Sequence, residues 1–111
     1  MSRELDEVKY QNKVKDKIEG YGRLATFYEA DDVTDHSWYI TPPRQAQMLD
    51  PETNRPMATF TCLVAALDIP FDPKRTTRMV DGKTSKTYRI IEVDPIDSGD
   101  LTQAYRIWLA R

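Results

Sequence analysis

Three short runs of β-forming residues fill the last third of the chain: Met79-Val-Asp-Gly-Lys83, Thr87-Tyr-Arg-Ile-Ile-Glu-Val93 and Tyr105-Arg-Ile-Trp-Leu109, with turn-forming residues between them. This meander ties the end of the chain into a sheet. Its last run carries no catalytic side chain, which favours a building block over an enzyme and directs the search for function to surfaces. With 111 residues the chain suits one domain, residues 1–111, and is too short for two ordinary cores. An apolar fraction of 40% beside 31% charged residues is enough for a folded core.

The N-terminal segment has the opposite character. Residues 3–19 hold no Gly or Pro, carry acids early (Glu4, Asp6, Glu7) and lysines later (Lys13, Lys15, Lys17), and run up to Gly20. The expectation is a helix within 1–20 that is aligned with its own dipole and capped by Ser2. Projected at helical spacing, Lys9, Lys13 and Lys17 form one stripe, while Leu5, Val8, Tyr10, Val14 and Ile18 spread thinly over much of the rest. So diluted an apolar face needs support from a sheet, another subunit, or both. The lysine stripe is either a solvated face or a partner-docking surface.

Gly20-Tyr-Gly22 breaks that helix and Arg23–Glu29 follows as a first strand. After the acidic turn at residues 29–35, His36–Thr41 is aromatic and β-branched enough for a second strand. Residues 42–56 then contain four prolines and few large apolar side chains, so a long loop is expected, and loops of that length in small domains are usually functional or disordered. A strand within residues 57–69, a turn at 70–73 and a strand at 76–80 come next. After them come a strand at 86–93, a turn region at 94–100 and a final strand at 101–110. The expected fold is mainly β, a small antiparallel β-barrel or sandwich of about six strands with an N-terminal helix packed outside or at one end.

Most chemistry is missing. His36 is the only histidine and Cys62 the only cysteine, on separate strands, so the common catalytic triads are nearly unavailable, and Cys62 within Phe60-Thr-Cys-Leu-Val64 is read as a small buried hydrophobe. No metal site is expected, because a zinc site needs about four N or S ligands and the chain offers two. Asp31, Asp32 and Asp35 lack the calcium-loop pattern and suit an acidic solvated turn. Phosphate loops and dinucleotide fingerprints are absent, and no cofactor is expected. A formal charge of -2 disfavours a domain devoted to neutralising phosphate. No apolar run approaches the ~20 residues of a membrane span, and the start of the chain is too polar for a signal peptide, so the expectation is a protein made in the cytoplasm.

The segments Ile18-Glu-Gly-Tyr-Gly-Arg-Leu-Ala-Thr-Phe27, Val80-Asp-Gly-Lys83 with Thr87-Tyr-Arg-Ile-Ile-Glu-Val93, and Tyr105-Arg-Ile-Trp-Leu-Ala-Arg111 resemble, in order and spacing, the head-closure (stopper) proteins of the neck of tailed bacteriophages. The likeness covers both ends of the chain and not the middle. It implies a small β-barrel virion protein, made in the host cytoplasm, that forms a homo-oligomeric ring as a head-tail connector. Such a ring sits beneath the portal and adaptor proteins, closes the DNA exit channel after packaging and provides the surface on which tail proteins dock. The resemblance also implies that the loop at 42–56 projects towards the channel. Arg44 and Arg55 are then the candidates to touch the phosphates of packaged double-stranded DNA, with Gln45 and Gln47 bonding between subunits, and no enzymatic step. Two alternatives stand beside it: a tail-completion role, and a β-barrel module binding single-stranded nucleic acid on exposed aromatics such as Trp38, Tyr39 and Tyr88. Between Leu24 and Pro56 six acids face two bases. Such acid would repel DNA from a conduit wall or dock a basic partner outside it.

Overall fold

The computed structural model describes residues 3–31, 33–49 and 52–111, with the side chains of 3–7, 48 and 56–58 left aside. It has one helix, α1 (Arg3–Tyr21), and seven strands: β1 (Arg23–Glu29), β2 (Asp35–Ile40), β3 (Arg44–Leu49), β4 (Pro56–Ala65), β5 (Thr76–Asp81), β6 (Thr87–Ser98) and β7 (Leu101–Ala110). The expected cap Ser2, together with Asp32, Asp50 and Pro51, lies outside the described residues. All seven strands join one antiparallel sheet in the order β2-β1-β5-β6-β7-β4-β3. The fold is thus a small mainly-β domain with an N-terminal helix.

Four expectations need correction. First, the segment 42–56 is not a long loop: Arg44–Leu49 is a strand, paired from Arg44 opposite Thr61 to Leu49 opposite Pro56. Arg-Gln-Ala-Gln-Met-Leu has little intrinsic β character, but strand preference depends on the neighbour, and β4 presents the β-favouring Thr59, Phe60 and Thr61. Asn54, with φ 54°, takes the left-handed conformation in the connection that follows. Second, that strand brings the count to seven. Third, residues 94–98 continue β6 instead of turning. Pro95 is tolerated there because β5 pairs with β6 only as far as Arg89, so this half of β6 has a strand on one side alone. The reversal is a two-residue turn whose first residue, Gly99, has φ 63°, as a type II′ hairpin requires. Fourth, α1 passes through Gly20 and ends at Tyr21, with the Gly22 N–H donating to the Ile18 carbonyl at 2.8 Å. Its last turn holds no base, so the dipole argument does not extend to that end.

The core lies between the curled faces of the sheet. Ala25 and Phe27 of β1, Ile40 of β2, Cys62 and Val64 of β4, Met79 of β5, Tyr88 of β6, and Ile107 and Leu109 of β7 form one buried cluster. Alternation along each strand sends these inward, and each large member contributes roughly 1.5–3 kcal/mol by leaving water. The sheet curls far enough that the end of β2 meets β4. The Thr41 N–H donates to the Leu63 carbonyl at 3.0 Å, and the Leu63 N–H donates to Thr41 Oγ1 at 2.8 Å. This is one corner contact and not a strand ladder, so the expected choice between barrel and sandwich resolves only to a curled seven-stranded sheet.

Helix α1 is seated on the domain by few side chains. Ile18 is buried, Gln11 Nε2 donates to the Thr102 carbonyl at 2.8 Å, and Lys15 reaches Asp68 at 3.3 Å. Val8 and Tyr10 remain 41% and 55% exposed, so the diluted apolar face expected from the sequence is only partly covered within one chain. Where α1 hands over to β1 the packing is tight. A Cβ on Gly22 would lie 2.2 Å from the Ile40 carbonyl oxygen, which only glycine avoids.

Candidate functional site

Two hairpins extend past the part of the sheet that holds the core. The first is made by β3 and the start of β4. Strand β4 pairs with β7 only from Phe60 onward, so Pro56–Thr59 has β3 as its one partner, and β3 in turn has β4 as its one partner. The result is a two-stranded ribbon about 20 Å long with an open edge. Arg44, Gln45, Gln47 and Leu49 are exposed on it. Thr59 is its buried member, and its Oγ1 donates to the Ala46 carbonyl at 2.8 Å.

The ribbon distributes the expected site residues unevenly. Arg44 sits at its base opposite Thr61, while Arg55 adjoins Pro56, which pairs with Leu49 at the far end. The two arginines are therefore roughly 16 Å apart along the strand and do not form one phosphate site. Gln45 and Gln47 do share a face and, with Ala46, Thr59 and Phe60, line a shallow cleft of about 440 Å³. At the base a residue missed in the sequence joins Arg44: Arg44 and Arg106 of β7 line a second cleft, of about 330 Å³, with Thr41, Pro42, Thr61 and Leu63. Nothing in the spacing of residues 44 and 106 could pair them, since the ladder through β4 alone brings them together.

The other expected surface is the lysine stripe of α1. Lys9, Lys13 and Lys17 are all exposed, and Lys15, two residues from Lys13 and from Lys17 and so on another side of the helix, is the lysine that turns in toward Asp68 and the Trp38 ring. The aromatics considered as a nucleic-acid platform are not free faces. Tyr88 is buried against Phe60, and Trp38 is half-buried with its Nε1 donating to the Ala65 carbonyl at 3.1 Å. Tyr39 is half-buried as well.

The remaining chemistry-bearing groups are accounted for by structure. His36 stacks on Phe71 with centroids 4.7 Å apart, and its Nε2 lies 3.2 Å from Glu29 Oε2. Cys62 is buried in the core, and loss of solvation, with a smaller effect from the Asp81 carboxylate, pushes its thiol up to about 12. It is a protonated core residue at neutral pH. Asp31 organises the acidic turn: its carboxylate accepts from the backbone N–H groups of Val33 and Thr34 and from the Thr34 hydroxyl. The Thr34 hydroxyl first, then these N–H groups, hold its carboxyl below the usual range. Asp81, 1% exposed, meets Arg23 Nη1 at 3.2 Å and accepts from the Lys83 N–H, which locks the β5–β6 turn. Among the described residues no group of three or more His, Cys, Asp or Glu is placed to hold a metal ion, and no helix is long and apolar enough to cross a membrane. No protein-family model matches the chain, and no curated protein matches it in sequence.

Proposed function

We propose that the protein is a structural component of the neck of a tailed bacteriophage, a ring-forming connector that closes the DNA exit channel after packaging and offers a surface to the tail. The β3–β4 ribbon is the observation that carries this reading. It leaves the core, exposes Gln45, Gln47 and Leu49 along one face, and keeps an open edge for a neighbour. Several copies around an axis would bring such ribbons together and obstruct a passage without any chemical step.

The form of the segment alters the mechanism. A paired ribbon is stiffer than the loop expected from the sequence, so it would act as a lever. Its pivots are Pro42-Pro43, which join β2 to β3 without pairing of their own, and the point at Phe60 where β4 enters the main sheet. Arg44 with Arg106 at the base, and Arg55 at the tip, offer two separate contacts for the phosphates of double-stranded DNA. Gln45 and Gln47 offer amides to an adjacent subunit. The Lys9, Lys13 and Lys17 stripe suits an acidic face on a portal, adaptor or tail protein. In this reading the protein is not an enzyme, needs no cofactor, and resides in the virion neck after synthesis in the host cytoplasm.

The test is excision of the ribbon. Ala46 and Thr59 are direct partners, so residues 47–58 can be replaced by Asn-Gly, a two-residue hairpin turn. The shortened chain is expected to keep its circular dichroism spectrum while particles built with it lose DNA or fail to join tails. Particles that retain both DNA and tails with the shortened chain would defeat the proposal.

A further inference from the structure

The cleft at the base of the β3–β4 ribbon straddles the joint on which that ribbon hangs. Its walls come from three parts of the molecule: Thr41 and Pro42 just after β2, Arg44 at the start of β3, and Thr61, Leu63 and Arg106 from the sheet that holds the core. Arg44 opposes Thr61, Leu63 opposes Arg106, and Thr61 and Leu63 stand two apart on β4, so these four side chains share one face. That face is the outer one, because Cys62 and Val64, which alternate with them, enter the core. Arg44 and Arg106 lie two strands apart, about 10 Å across the sheet, which leaves room for one small anion between two long side chains.

Both guanidiniums are exposed, and among the described residues neither has an ion pair or a side-chain hydrogen bond. The carboxylate opposite Arg106 in the ladder is Asp94, and Glu92 lies opposite Trp108. One Asp94 oxygen is taken by Trp108 Nε1 at 3.0 Å; these two acids lower the field on the β6 side of Arg106 and leave the side toward Arg44 positive. Hydroxyls complete the lining. Thr41 Oγ1 accepts from the Leu63 N–H at 2.8 Å, so its O–H remains to donate, and Thr61 adds a second hydroxyl beside Arg44. Donors arriving from several directions suit a tetrahedral anion with three acceptor oxygens better than a flat carboxylate.

We infer that this cleft binds a phosphate group, and that the bound phosphate clamps the ribbon to the body by joining Arg44 on one side of the joint to Arg106 on the other. The inference rests on the reading of the ribbon as a lever and adds what holds that lever still. Arg44 is the first residue after the Pro42-Pro43 pivot, so a swing about the prolines turns it relative to Arg106. Phosphate then binds the seated ribbon and not the swung one, and by mass action it raises the seated population in proportion to its occupancy.

Amide exchange on the isolated protein tests the clamp, with inorganic phosphate as the probe and sodium chloride of equal ionic strength as its control. At ten times the dissociation constant found by calorimetry, exchange in β3 is expected to slow roughly tenfold. The second projecting hairpin, formed by β6 and β7 beyond the last pairing of β7 with β4 at Ala104, is the reference and should change less than about twofold. A general stabilisation by phosphate would slow both hairpins alike. Arg44→Gln and Arg106→Gln should each weaken phosphate binding at least about tenfold and abolish the slowing in β3, with the circular dichroism spectrum unchanged. Arg106→Gln is the decisive variant, since Arg106 lies outside the ribbon and only a bridging ligand lets its loss alter exchange there. No phosphate binding to the wild type, equal slowing of the two hairpins, or slowing that survives Arg106→Gln would overturn the inference. A short DNA duplex at equal phosphate concentration identifies the source: stronger slowing by the duplex assigns the cleft to the nucleic-acid backbone, and slowing by inorganic phosphate alone assigns it to a free anion, the clamp standing in both cases. The chain shortened at 47–58 keeps Arg44 and Arg106, so failure of the connector reading in particles leaves phosphate binding measurable, and failure of the clamp leaves the particle test as it was.

Discussion

The two projecting hairpins have the same ladder chemistry and opposite anchorage. The β6–β7 hairpin is held on several sides: Ile107 and Leu109 enter the core, β4 pairs along β7, and the Gln11 side chain of α1 bonds the Thr102 carbonyl. It also carries its own cross-strand bonds, Trp108 Nε1 to Asp94 Oδ2 at 3.0 Å and Thr102 Oγ1 to Asp97 Oδ1 at 2.7 Å. The β3–β4 hairpin exposes Gln45, Gln47 and Leu49 along one face, and Leu49 is 58% exposed. Backbone pairing shapes a hairpin, but burial of its side chains decides whether the rest of the domain holds it in place. A part that must move against its neighbours belongs on the second kind of hairpin, and a part that must present fixed charge belongs on the first.

Matched truncations give the sharpest way to break this contrast. Leu109→Ala in the anchored hairpin should cost about 3 kcal/mol, because a fully buried side chain leaves a cavity in the core. Leu49→Ala in the free one should stay within about 0.5 kcal/mol. Urea unfolding midpoints measure both, and equal costs would show that β3–β4 is held by the body after all.

A smaller effect is expected at the junction from which the free hairpin hangs. Gly22→Ala forces a Cβ against the Ile40 carbonyl oxygen and should cost about 2 kcal/mol, with the displacement passing through Pro42-Pro43 into β3. Gly20, with open space where its Cβ would be, serves as the control: Gly20→Ala within α1 should stabilise by about 0.5 kcal/mol. Amide exchange in Gly22→Ala should quicken in β3 and stay unchanged in β7. The reverse pattern would dissolve the distinction between the hairpins.

The smallest effect lies in neither hairpin. Because its folded carboxyl titrates lower than the unfolded one, whose ordinary value is 3.8, Asp31 contributes stability above that value and loses it as the pH falls through the folded value. Asp31→Asn should therefore be less stable than wild type at neutral pH, with the gap closing as the pH falls below 3.8 and on through the folded value. Amide exchange in β3 and β7 should not respond. A gap that does not depend on pH would remove the carboxylate from the account.

Legibility followed the source of each signal. β1 and β7 were readable to the residue, Arg23–Glu29 and Leu101–Ala110, because alternation and flanking turn residues are local properties. β3 was not, because its side chains state no preference and β4 supplies the reason for its extension. Pro95 misled in the other direction: as a local breaker it suggests a turn, but the empty side of β6 makes it harmless. The site residues divide in the same way. Lys9, Lys13 and Lys17 share one exposed face by helical periodicity alone, while the meeting of Arg44 with Arg106 needs strands distant in sequence to be neighbours in the sheet.

By itself the sequence determined a β-rich domain with a weakly amphipathic helix in front and a lone thiol within an apolar run. Those properties follow from composition and short-range periodicity, which need no partner segment. The tertiary structure alone decided that residues 44–49 pair instead of looping and that Arg44 and Arg55 part company. Strand register couples residues tens of positions apart, and hydrogen bonding across a sheet satisfies backbone groups whatever the local preference of the side chains, so these features exist only once the sheet has formed.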